Sequence, residues 1–168
     1  MTPKSFSVRI YCQDGHADGV KLIAKSKWPG RALVIPRTSL PDEINRAELD
    51  APGVYVLVGS SAGVVLPTIY VGAADPVRSD LEQHHSRKDF WGWCIVFAAK
   101  DHSLSLAHVQ YLQTRLMALA QKTKRANFED FHDLNLPEFS ATELVDLESF
   151  LDHMLTICPL FGLYAFEI

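Results

Sequence analysis

Arg87, Lys88, Lys122, Lys124 and Arg125, five of the seven cations between positions 87 and 125, are the side chains whose charge could meet a phosphate backbone. All 16 Lys and Arg lie within residues 1–125, whereas residues 126–168 carry nine Asp and Glu and no Lys or Arg. The plain alternative is a solvated surface followed by an acidic terminal helix. Asp14, His16 and Asp18 in QDGHADG alternate as cation ligands do, but two glycines and no later Glu read as a turn. Cys12, Cys94 and Cys158 are widely spaced, odd in number and form no CxxC pair, which argues against a disulfide framework or a cysteine zinc site. Tyr55 and Tyr70 sit on strongly apolar runs and by themselves read as half-buried strand aromatics.

The elements that must carry these residues are legible from periodicity. SFSVRIYC (5–12) alternates with β-branched and aromatic residues, and RALVIP (31–36) is a second short strand closed by Pro36. Pro41 to Leu49 reads as a short helix with proline in its first turn. GVYVLVG (53–59), TIYVG (68–72) and WCIVFAA (93–99) are strands, the first two joined by a connection of hairpin length and so antiparallel. Asp75-Pro76 opens a helix to about Lys88, with Asp75 as N-cap. A long helix from about Ser105 to Arg125 places Val109, Leu112, Leu116 and Leu119 on one face, with Lys122, Lys124 and Arg125 in its last turn. Residues 126–137 are polar and irregular. Ser140 and Glu143 then form a capping box, with Phe139 and Leu144 placed as a staple, for a helix presenting Leu144, Leu147, Leu151 and Met154. LFGLYAFEI ends as a strand or packed tail.

Length and composition bound the reading. The chain has 168 residues, 48% hydrophobic and 21% charged, enough for one domain with a sizeable core. A net charge of −4 does not advertise a nucleic-acid binder. No apolar stretch approaches the roughly 20 residues that span a bilayer, and no secretory signal is visible, so the expectation is a reduced cytoplasmic protein without a membrane partner.

In this setting Gly53-Val54-Tyr55 and Tyr70-Val71-Gly72, each on a strand of one hairpin, resemble the two motifs of the GIY-YIG nuclease family. The likeness extends to His84, twelve residues after Gly72, to KDFW at 88–91 and to LAHVQYLQTRL at 106–116. DGHADG, Trp28-Pro29-Gly30, IPR at 35–37 and FLDHMLTICPLFG at 150–162 are similar to bacterial stand-alone members, so the resemblance covers nearly the whole chain. It implies an α+β fold, with a small central antiparallel sheet flanked by helices, extra N-terminal strands and a C-terminal helix. In one domain, residues 1–50 would be the strand extension, 51–130 the core and 131–168 the terminal helix and tail.

The family hydrolyses phosphodiester bonds with one divalent metal, so Mg²⁺ or Mn²⁺ is the cofactor implied for an active enzyme. By resemblance, Tyr55 assists deprotonation of the attacking water, Tyr70 helps position it, Gly53 and Gly72 shape the motifs, and His84 is the helix histidine. Two positions depart. The arginine that should neutralise the phosphate, eight residues after Gly72, is Asp80, and the metal-binding glutamate after YL is Gln113. A glutamine carbonyl can touch a hard cation but lacks the charge that offsets its desolvation. Arg78 could take the arginine's place only by a two-residue shift that loses Leu81, His84 and KDFW; at about 100° per residue it falls on the opposite flank from Asp80. Ala73 stands where an acidic residue is usual, and Asp130 aligns with an asparagine. Asp80, Glu82 and Asp130 are the carboxylates a relocated metal site would use.

The expectation is therefore a nuclease-family protein that binds nucleic acid, DNA foremost, with hydrolysis impaired or lost. An active metal-dependent endonuclease with a rearranged site is the alternative. A second alternative is a non-enzymatic interaction module, with a protein partner or a homo-oligomer formed through the acidic C-terminal region.

Overall fold

Alternating β-branched and aromatic residues give the chain its first layer. The computed structural model describes residues 3–131, 135–136 and 138–168. It opens with β1 (Val8–Cys12), β2 (Lys21–Lys25) and β3 (Gly30–Pro36), an antiparallel meander. The strands expected at 5–12 and 31–36 are present, the first only from Val8; β2, KLIAK, carries no strand signal in the sequence because its lysines break the apolar run.

The helix expected over Pro41–Leu49 is instead two short pieces: α1 (Leu40–Glu43) and a 3₁₀ turn at Ala47–Leu49. The break has a partner far along the chain. Arg78 takes the Ile44 and Arg46 carbonyls, at 2.8 and 3.2 Å, which a continuing helix would use.

β4 (Gly53–Gly59) and β5 (Thr68–Ala74) form the hairpin, followed by α2 (Val77–Arg87), β6 (Trp93–Ala99) and α3 (Leu106–Thr123). β7 (Asn127–Phe128) lies within the stretch expected to be irregular, and α4 (Ala141–Ile157) carries the expected Ser140–Glu143 capping box. The α2 N-cap is Pro76 rather than Asp75, because Pro76 keeps an extended backbone (ψ 157°); no side chain caps the helix, and the Val77 N–H is held by the Ala51 carbonyl at 3.0 Å. The tail is packed: a 3₁₀ turn at Cys158–Phe161 precedes buried Leu163, Ala165 and Phe166.

The fold is α+β. Among the described residues seven strands make one mixed sheet, ordered β1-β2-β3-β6-β4-β5-β7, antiparallel except at β5–β7. It is larger than the small central sheet expected, because β3 pairs along its full length with β6 and joins the N-terminal strands to the same sheet.

Period-two alternation divides the core between the faces. Val54, Val56, Val71, Ile95 and Phe97 point toward α3 and α4, meeting Val109, Leu112, Leu116, Leu151 and Met154. Tyr55, Leu57, Cys94 and Val96 point to the other face, against Leu40, Val77 and Leu81. Among the described residues no helix is long and apolar enough to cross a membrane.

Candidate functional site

The β4–β5 register sets the geometry. Tyr55 pairs with Gly72 and Leu57 with Tyr70, so both tyrosines lie on the α2 face. With no Cβ at Gly72, the Tyr55 ring lies flat across β5; a methyl there would fall onto the hydroxyl end of that ring. Gly53 is held for a related reason, since a Cβ would press to 3.1 Å from the Phe97 carbonyl oxygen. The ring centres of Tyr55 and Tyr70 are 6.2 Å apart, and that of Tyr70 is 4.7 Å from His84.

Helix α2 supplies the other half of the site. Buried Val77 and Leu81 dock it on the sheet, which turns Asp80 and His84, one turn apart, toward the tyrosines. The Tyr55 hydroxyl donates to Asp80 Oδ2 at 2.7 Å. Its single hydrogen is thereby used, so His84 Nε2–H donates to the same hydroxyl, also at 2.7 Å. The Trp91 indole N–H donates to the His84 carbonyl at 3.3 Å and ties the segment leading into β6 to the helix end.

The electrostatics follow from this packing. Burial first, and then the Asp80 carboxylate, push the Tyr55 hydroxyl far above a free phenol. Burial also raises Tyr70, partly countered by Lys88. Burial holds His84 below the usual imidazole value, with Lys88 adding to the effect and Asp80 opposing it. A neutral phenol, a carboxylate and a neutral imidazole therefore make up the centre. Tyr55 has 0% of its surface exposed, so its hydroxyl has no face open to an attacking water.

Lys88 is the one candidate cation that reaches the tyrosines. Its Nζ lies 4.8 Å above the Tyr70 ring and 3.1 Å from Asp130 Oδ2, so Asp130 is a counter-ion for this lysine. Arg37 braces the same end of α2: it donates to the carbonyls of His85, at 2.7 Å, and Lys88, and stacks 4.8 Å over Trp91. The sequence offered only its place in IPR as a signal.

Arg78 and Gln113 lie away from the tyrosines. Arg78 is not beside the tyrosines: its guanidinium donates to the Ile44 and Arg46 carbonyls and pairs with Asp50 at 3.0 Å, on the flank of α2 away from Asp80. Its role is to hold the 44–50 segment. Gln113 is buried on α3, whose apolar side packs on the opposite sheet face, and its amide N–H donates to the Val71 carbonyl at 3.1 Å. It caps β5 beyond the two residues that pair with β7. Lys122, Lys124 and Arg125 are exposed at the end of α3, with Arg125 3.7 Å from Glu167, and Arg87 is exposed at the end of α2.

The donors do not fit a divalent cation. Asp80 is engaged by Tyr55, Asp130 by Lys88 and Gln113 by Val71, and Glu82 is exposed. Among the described residues no three His, Cys, Asp or Glu side chains are grouped to hold a metal ion. Comparison of the chain with protein-family models, curated proteins and solved structures yields no match.

Proposed function

We propose that this protein is a non-hydrolytic relative of the GIY-YIG nucleases that binds nucleic acid, DNA foremost. The antiparallel unit β5-β4-β6, with helices on both faces and the two motif tyrosines on one of them, accords with the central sheet that the resemblance implies. One observation carries the loss of hydrolysis: the Tyr55 hydroxyl is donated to Asp80, an anion at the place where an arginine would neutralise the phosphate.

The magnitude is decisive. Losing one preorganised electrostatic group typically costs about 10²–10³ in rate. Here a cation is replaced by an anion that repels the scissile phosphate, and Tyr55 has no open face for a nucleophile. Binding needs none of these functions. Lys88 above Tyr70 offers a cation beside an aromatic face, and Arg87, Lys122, Lys124 and Arg125 extend positive charge at the ends of α2 and α3.

Fluorescence anisotropy with labelled single- and double-stranded DNA and RNA tests the reading. The expected result is salt-dependent binding, strongest to DNA. In the Arg87→Glu/Lys88→Glu variant the log–log salt slope should fall by about one for each phosphate contact removed. Binding absent at low salt for every oligonucleotide, or unchanged by that variant, would overturn it.

A further inference from the structure

A second cationic centre lies on the other face of the sheet and is separate from the Tyr55 site. Lys25, the last residue of β2, is a buried charged side chain, with 9% of its surface exposed. Its Nζ donates to His153 Nδ1 on α4 at 2.7 Å and sits 4.6 Å from the centre of the Phe6 ring. Because Nδ1 accepts that bond, His153 is neutral and leaves the ammonium charge uncompensated. Burial holds both groups below their usual values. Among the described residues no carboxylate forms an ion pair with Lys25. The ammonium is largely covered and has only a neutral partner, so an anion reaching it from the cavity would meet an uncompensated charge.

That cation lines a cavity of about 350 Å³ between residues 3–6, the β2–β3 turn and α4. Lys4 and Lys27 line it as well, against a single carboxylate, Asp152. Three lysines against one carboxylate among the described lining residues suit the charge of about −1.5 to −2 carried by a phosphomonoester near neutral pH. Lysine binds phosphate as a point charge, whereas the planar arginine fork that grips a carboxylate is not present in the lining. Ser5, Ser26 and Ser149 add hydroxyls around the same space. The cavity is larger than a bare phosphate, and Phe6, 42% exposed, offers a flat apolar face next to the ammonium.

We propose that this cavity binds a small phosphomonoester carrying a planar ring, with the phosphate held by Lys25, Lys4 and Lys27 and the ring against Phe6. The inference does not rest on the nucleic-acid reading, since none of its residues belongs to the Tyr55 site.

Calorimetric titration of the full chain with phenyl phosphate, inorganic phosphate and phenol tests it. Phenyl phosphate should bind one to one, inorganic phosphate more weakly and phenol not at all. Lys25→Met keeps the apolar stem and should weaken phenyl phosphate by about tenfold or more, as for a charged hydrogen bond. Lys4→Ala/Lys27→Ala changes only exposed side chains, so it tests the site without touching the core, and should cost about threefold. Phe6→Ala should narrow the preference for phenyl phosphate over inorganic phosphate. No saturable binding of phenyl phosphate, equal affinity in the Lys4/Lys27 variant, or phenol binding as well as phenyl phosphate would overturn the assignment.

Discussion

Replacing Tyr55 by Phe isolates the contact at the centre of the site. The ring is fully buried and Phe preserves its shape, so the change removes the hydroxyl and little else. What is lost is a 2.7 Å bond to a carboxylate and the 2.7 Å bond received from His84. A hydrogen bond to a charged group contributes about 1.5–3 kcal/mol, and in a chain of this size each kcal/mol moves Tm by about 2–4 °C. Tyr55→Phe should therefore lower Tm by about 3–12 °C. Asp80→Asn keeps an acceptor of the same shape but neutral, for which about 0.5–1.5 kcal/mol remains. In a double-mutant cycle the two changes should couple by about 1 kcal/mol. Urea denaturation of the four proteins measures this. A cost below about 0.5 kcal/mol for Tyr55→Phe, or additivity of the two changes within about 0.3 kcal/mol, would refute the contact and the argument built on it.

Gly72→Ala should destabilise by about 1–3 kcal/mol, since the new methyl meets the Tyr55 hydroxyl end; a gain, as Gly→Ala gives at open positions, would contradict that packing. Arg78→Gln should cost about 1–3 kcal/mol in urea denaturation, through the Ile44, Arg46 and Asp50 contacts, and leave oligonucleotide affinity unchanged. A loss of affinity with stability unchanged would return Arg78 to the binding site. Burial holds His84 below the usual imidazole value, so the unfolded chain binds its proton first. The stability linked to His84 is present above about pH 6.5 and lost as pH falls toward its folded value, and His84→Gln should flatten that part of the denaturation midpoint against pH.

The strands bearing the tyrosines were legible because β-branched and aromatic residues fill them, and a helix stepping about 100° per residue separates Asp80 from Arg78 without any structure. The residues each side chain meets were not legible. Arg78 breaks a helix more than thirty residues earlier, and Gln113 caps a strand forty-two positions away. Lys88 gains its role from Tyr70 and Asp130, neither adjacent in sequence. β2 and β7 escaped because their lysines and short length hide them, and pairing with neighbours makes them strands. The Lys25–His153 contact spans 128 positions and leaves no local pattern.

The most direct test of the central claim is an end-point cleavage assay. Labelled single- and double-stranded DNA and RNA are incubated with purified protein and Mg²⁺ or Mn²⁺, and strand lengths are read on a denaturing gel. With an anion at Asp80 and the Tyr55 hydroxyl enclosed, every substrate should remain intact while still being retarded on a native gel. Metal-dependent scission that disappears with chelator and in Tyr55→Phe would contradict the account.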